Sequence, residues 1–175
     1  MSQRYIQNRN TSKVDFRTPA YIFEGAQNQF NVTFNLDVAA SEENALCSAF
    51  FTEEGNALER SWGIHRAGSH VWCNPPYNKI GPWVNHAIDQ LRNNDACESV
   101  TFLVPASTCT YWFEDLWMVA NEIVFLSGRM KWEGPHLVKG SNAINPSVLV
   151  HLRGFCRWET EPPVSMINIR NGEWG

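Results

Sequence analysis

Apolar and polar residues alternate over residues 32–38, the two-residue period of a strand with one buried face. The run stops at Ala39-Ala40-Ser41. Ser41 suits a helix N-cap, with Glu42, Glu43 and Asn44 in the first turn and Ala45-Leu46-Cys47 behind them. Residues 49–52 predict a short second strand before the polar turn Glu53-Glu54-Gly55-Asn56. Residues 70–73 predict a third strand, and residues 82–91 a helix with Trp83, Ala87 and Leu91 on one face. A buried strand over 99–105 ends in a proline stop; a helix over 111–120 and strands over 122–126 and 147–152 follow. Beyond the turn-rich Glu161-Pro162-Pro163, a weak last strand covers 164–169. Strands alternating with helices predict an α/β fold with a doubly wound, mostly parallel sheet. No repeat or linker divides the chain, so residues 1–175 read as one domain with its core at about 16–157.

Composition supports a folded globule: 43% of the 175 residues are hydrophobic and 18% charged. Eight Trp and ten Phe exceed what a core of this size needs, which suits stacking on flat ligands. No apolar run reaches membrane-span length, and the polar start lacks the apolar segment of a signal peptide. The five cysteines (47, 73, 97, 109 and 156) form no CxxC pair. They read as reduced thiols of a cytoplasmic protein without a metal site. The net charge of −4 is unevenly spread. Residues 1–17 carry +3, residues 18–128 carry −9, residues 129–157 carry +4 and the tail −2. A polyanion would meet the ends of the domain, not its middle.

The sharpest chemical feature is Asn74-Pro75-Pro76-Tyr77, directly after Val71-Trp72-Cys73. Two prolines cannot continue a ladder and stiffen the loop at the strand's carboxyl end, where open α/β sheets bind ligands. Carbonyl oxygens there can accept the N–H groups of a planar amine, and a phenol can stack on its ring. A plain strand-ending turn is the other reading. Asp37-Val38-Ala39-Ala40-Ser41 lies at a second carboxyl end and would share the same crevice. No GxGxxG follows that strand, and the acidic middle section repels phosphate. An acidic pocket favours a cationic cofactor, and S-adenosylmethionine carries a sulfonium and an ammonium.

These motifs occur in order along most of the chain. Arg17-Thr18-Pro19 is followed by Phe34-Asn35-Leu36-Asp37-Val38-Ala39-Ala40 and Asn44-Ala45-Leu46-Cys47. Then come Asn56-Ala57-Leu58, Trp62 and the Asn74–Tyr77 loop. Leu103-Val104-Pro105-Ala106, Trp112-Phe113, Gly128-Arg129-Met130 and Pro146-Ser147 complete the set. In this the chain resembles the phage-type, Dam-like DNA adenine-N6 methyltransferases from about Phe16 to Leu152. It departs at Asn56, where the related motif often has Asp.

The resemblance implies a Rossmann-like sheet of the S-adenosylmethionine-dependent methyltransferase type. It implies methyl transfer to the exocyclic amine of a flipped adenine in double-stranded DNA, with GATC a frequent target in the family. Asn74, Pro75, Pro76 and Tyr77 would be catalytic. Thr18, Pro19, Asp37, Ala39 and Ala40, with Asn74, would hold the methionine end of the cofactor. Glu53 (or Glu54) would take the ribose, and Asn56 and Leu58 would face the cofactor's adenine. Lys79, Arg129, Lys131, Lys139 and Arg153 are the candidates for DNA contacts, with target recognition in loops within 129–147. Other substrates stay open (cytosine N4, an RNA base or a protein glutamine), as does an inactive nucleic-acid-binding relative. The expected setting is the cytoplasm, that of the host if the chain is phage-encoded, with neither membrane nor metal as a partner.

Overall fold

The computed structural model describes residues 17–134, 145–154 and 162–175. A seven-stranded sheet forms its centre: β1 (Leu36–Asp37), β2 (Ala49–Phe50), β3 (Ser69–Cys73), β4 (Cys97–Pro105), β5 (Glu122–Ser127), β6 (Ser147–Arg153) and β7 (Val164–Asn168). The spatial order is β2-β1-β3-β4-β6-β5-β7. Only β6 runs antiparallel to its neighbours; every other pairing is parallel. The mixed α/β architecture is therefore as expected, with one reversed strand inside it.

Three α-helices cover the sheet: α1 (Ala20–Phe30), α2 (Ile80–Asn93) and α3 (Tyr111–Val119). Side chains alternate across each strand, so Val71, Cys73, Val100, Phe102, Val148 and Val150 pack with α2 and α3. Trp72, Leu103, Val124 and Leu149 pack on the other face with α1. β4 is buried on both faces from Ser99 to Pro105, which explains its unbroken apolar run. In α2 the buried stripe is Ile80, Val84, Ala87 and Leu91, at helical spacing. The helix begins two residues before Pro82, in whose place within the first turn an amide hydrogen would have no intrahelical partner anyway.

Two expectations need correction. The first is the helix after Ser41, where the chain instead makes turns. Asn44 Oδ1 accepts the Ser41 N–H at 2.6 Å, and Asp37 Oδ2 accepts the Leu46 N–H at 3.2 Å. The Ser41 amide is one that the first turn of a helix leaves open in any case, but the Leu46 amide, which a helix would need, goes to the Asp37 side chain. The second is the strand over 32–38, whose ladder spans only Leu36–Asp37. Upstream, the Asn35 side chain replaces ladder bonds: Oδ1 accepts from His70 N at 2.9 Å and Nδ2 donates to Gly68 O at 3.0 Å.

Helix α1 was absent from the periodicity reading altogether. Its stripe is Ile22, Ala26 and Phe30, four residues apart, and burying Ile22 and Phe30 contributes about 1.5–3 kcal/mol each.

Candidate active site

The parallel strands β1, β2, β3, β4 and β5 all end at one edge of the sheet. Asp37, the turn at Glu53, Asn74 and the Gly128-Arg129 turn therefore lie along that edge. Asp37 closes β1 and is only 4% exposed. Its Oδ1 accepts from Ala39 N and its Oδ2 from Leu46 N, both at 3.2 Å. Burial raises its pKa from 3.8 to about 6, and the two backbone donors only partly oppose that shift. The buried thiols of Cys73 and Cys47 are held protonated by desolvation and by Asp37 itself.

Asn74 leaves β3 beside it. Its Nδ2 donates to Thr18 Oγ1 at 3.2 Å, and Thr18 is itself buried. Thr18 is fixed from both sides. Pro19 caps α1, and Arg17 pairs with Glu133 through two backbone hydrogen bonds of 2.7 and 3.1 Å. Arg17, Thr18, Asp37, Ala39, Asn44, Leu46, Trp72 and Asn74 line a narrow cavity of about 20 Å³, room for little more than one water molecule. A wider cavity of about 620 Å³ lies elsewhere on the edge, at the start of α3 between Thr108 and Phe125.

The loop continues with buried Pro75 and exposed Pro76. Tyr77 leaves 38% of its surface exposed, and its ring meets Trp132 edge-on, centroids 6.1 Å apart at 61°. Trp132 belongs to the segment after β5 that carries Gly128, at φ +134°, and Glu133. Thr18, Asp37, Ala39 and Asn74 are therefore brought together, with Pro19 and Ala40 adjoining in sequence.

Glu53, Asn56 and Leu58 sit one strand further out, beyond β2. Glu53 and Asn56 are exposed, Leu58 is half-buried, and Asn56 holds a left-handed conformation at φ 43°. None of the three lines the narrow cavity. Lys79 is exposed at the start of α2, and Arg129 and Lys131 are exposed on the segment after β5. Lys139 lies outside the described residues.

Arg153 stands apart. Because β6 is reversed, Arg153 pairs with Ser99 while Ser147 pairs with Pro105, which puts Arg153 at the opposite edge from Asn74. Its Nη2 donates to Phe30 O and its Nε to His151 Nε2, both at 3.1 Å. His151 must then carry its proton on Nδ1, facing Thr101 Oγ1 at 2.8 Å. Burial, with Arg153 beside it, lowers the His151 pKa to about 3. Arg153→Ala is expected to lower the melting temperature while leaving DNA affinity within two-fold, read by thermal unfolding and fluorescence anisotropy. A loss of affinity beyond tenfold would return Arg153 to the DNA interface.

Sequence reasoning did not select Arg17, Asn44, Leu46 or Trp132 as site residues. Three of them lie inside motifs it had quoted. Trp132 carried no signal beyond its position two residues past Gly128-Arg129-Met130.

Comparison with known proteins identifies the family. A model of the DNA N-6-adenine-methyltransferase (Dam) family matches residues 7–171. A DNA N-6-adenine-methyltransferase of Escherichia phage T1 is 40% identical over 93 residues, 53% of this chain and 37% of that protein. One from Haemophilus phage HP1 is 36% identical over 123 residues, 67% of this chain and 66% of that protein. The chain thus spans about a third of the first relative's length and about two thirds of the second's. With a match over nearly its whole length, the chain belongs to the DNA N-6-adenine-methyltransferase (Dam) family.

Proposed function

We propose that the protein transfers a methyl group from S-adenosylmethionine to the exocyclic amine of an adenine flipped out of double-stranded DNA. The observation that supports this best is the meeting of Thr18, Asp37 and Asn74 in one crevice. The donor set fits the cofactor. Asp37 is a buried carboxylate whose raised pKa marks a charge in want of a cation, matching an amino acid's ammonium. Arg17 and the Thr18 hydroxyl, in the lining of the same cavity, match its carboxylate. Glu53 is the candidate for the ribose, with Asn56 and Leu58 for the cofactor's adenine, further along the carboxyl edge. A sheet of this order, with ligand contacts at its carboxyl ends, is consistent with a Rossmann-like methyltransferase fold.

When bound, the cofactor supplies an electrophilic methyl group. The chain's own residues hold and polarise the acceptor. Asn74 Oδ1 and the Pro75 carbonyl each accept one hydrogen of the target amine. Both bonds strengthen as positive charge grows on that nitrogen, so they favour the transition state over the ground state. Tyr77 stacks on the extrahelical base, a contact of about 1–3 kcal/mol, and Trp132 stands edge-on to that ring as a second aromatic wall. Lys79, Arg129 and Lys131 face the phosphates, with base reading assigned to segments within 129–147. The same reading puts the enzyme in the cytoplasm, with DNA.

The test is incubation with methyl-labelled cofactor and duplexes that contain or lack GATC, followed by digestion to nucleosides. Label is expected in N6-methyldeoxyadenosine, mostly from the GATC duplex. Label in N4-methylcytosine, in RNA or in protein would overturn the reading of the substrate, and equal labelling of both duplexes the reading of the sequence.

A further inference from the structure

We infer that Thr18 is a positioning residue, through which cofactor binding sets the orientation of the catalytic Asn74 carboxamide. The inference deepens the proposed function and rests on it.

A carboxamide has two chemically opposite ends: an oxygen that only accepts and an NH₂ that only donates. Polarising an amine requires the oxygen toward the substrate; a half-turn would present two N–H groups to the amine's own hydrogens. Something must therefore hold the NH₂ end. Thr18 Oγ1 does so at 3.2 Å from Asn74 Nδ2, which leaves Oδ1 as the free acceptor on the far side.

A hydroxyl can accept and donate at once. With its lone pair engaged by Asn74, the Thr18 hydroxyl proton points elsewhere, and the narrow cavity it lines contains the cationic and carboxamide side chains of Arg17, Asn44 and Asn74 together with Asp37. A carboxylate brought in by the cofactor would receive that proton. The chain of donors then runs in one direction, from Asn74 NH₂ to Thr18 oxygen and from Thr18 O–H to the cofactor. Without that carboxylate, the hydroxyl can instead turn its proton toward the carboxamide and accommodate the inverted amide.

The backbone around Thr18 suits this role. Pro19 follows it with a fixed φ, at −61°. The paired backbone of Arg17 and Glu133 ties its other side to the segment bearing Trp132. Thr18 thus contacts the catalytic loop from a segment with little freedom to follow it.

The test compares Thr18→Val, which keeps the shape and removes the hydroxyl, with Thr18→Ser, which keeps the hydroxyl and removes the methyl. Cofactor dissociation constants come from calorimetry and kcat from steady-state methylation of duplex DNA, after wild-type activity has been established. Thr18→Val is expected to lower kcat at least tenfold, more than it weakens cofactor binding, and Thr18→Ser to restore kcat to within about three-fold. The inference is overturned if Thr18→Val keeps wild-type kcat at saturating cofactor, since the hydroxyl then serves binding alone. It is equally overturned if Thr18→Ser is as impaired as Thr18→Val, since packing of the methyl is then what matters. A wild-type protein that methylates no DNA would instead remove the reading on which the inference rests.

Discussion

Asn74→Ala is expected to lower kcat by about 100-fold or more while cofactor affinity stays within a few-fold and the melting temperature shifts little. The size follows from the kind of interaction lost. A preorganised acceptor aimed at developing charge costs about 100- to 1,000-fold in rate when removed, because no solvent reorganisation replaces it in the confined site. The ground state loses less, since Asn74 is half-buried at the end of a strand and its side-chain bond among the described residues is the 3.2 Å contact to Thr18. Trp72 and Cys73, fully buried before it, and Pro75 after it hold the loop without it. Single-turnover methylation, calorimetric titration with S-adenosylmethionine and thermal unfolding separate the three quantities. Unfolding of the variant at the assay temperature, or turnover within tenfold of wild type, would show the carboxamide to be a structural part of the loop.

Asp37→Asn is expected to weaken cofactor binding about 10- to 100-fold and to flatten the pH dependence of both binding and stability. In the folded protein Asp37 titrates at about 6, against 3.8 without burial. The fold therefore holds that proton more tightly than the unfolded chain does. The resulting stabilisation is complete below about pH 4 and lost as pH rises through about 6, on the order of 3 kcal/mol. At neutral pH the ionised carboxylate is a standing cost to the apo fold, offset when a cationic group arrives. A charge-assisted hydrogen bond is worth about 1.5–3 kcal/mol, which gives the expected loss for the amide variant.

Binding to the wild type should also weaken roughly tenfold per pH unit below 6, because protonated Asp37 must release its proton to receive an ammonium. Asparagine removes the titration. It leaves an NH₂ facing one of the two N–H groups that the carboxylate accepted, from Ala39 or Leu46, so its gain in stability stays below the full figure. Calorimetry at pH 5 and pH 7.5 on both proteins reads the effect. Equal affinity at the two pH values in the wild type, or an unimpaired Asp37→Asn, would remove Asp37 from the cofactor site.

The sequence was most legible where burial alone decides structure. β4 and β6 are buried on both faces and β3 nearly so, and their apolar runs announced them. It was least legible where a side chain substitutes for backbone. Asn35 takes the place of ladder bonds to β3, and Asp37 takes the Leu46 amide of a helix that does not form. Apolar periodicity carries no trace of such bonds. Helix α1 was missed because Glu24, Gln27, Asn28 and Gln29 surround a stripe of only three buried apolar side chains.

The Asn74 loop and Asp37 were found from chemistry and spacing. Arg17 entered as part of a motif, but its place in the cavity depends on pairing with Glu133, 116 positions away in the chain. The placement of Arg153 depended on the direction of β6, which no local pattern encodes.

That reversal of β6 has a topological consequence. The chain leaves the catalytic edge at Gly134 and returns to the same edge at Asn145, just before Ser147 pairs with Pro105. A forward-running strand in that slot would have begun at the far edge and required a crossing of the sheet. As built, the two ends of this connection lie at one edge, beside the Asn74 loop, and no crossing of the sheet is needed. A change in the length of that connection would leave the register of β6 against β4, from Ser147 opposite Pro105 to Arg153 opposite Ser99, set by the strands themselves.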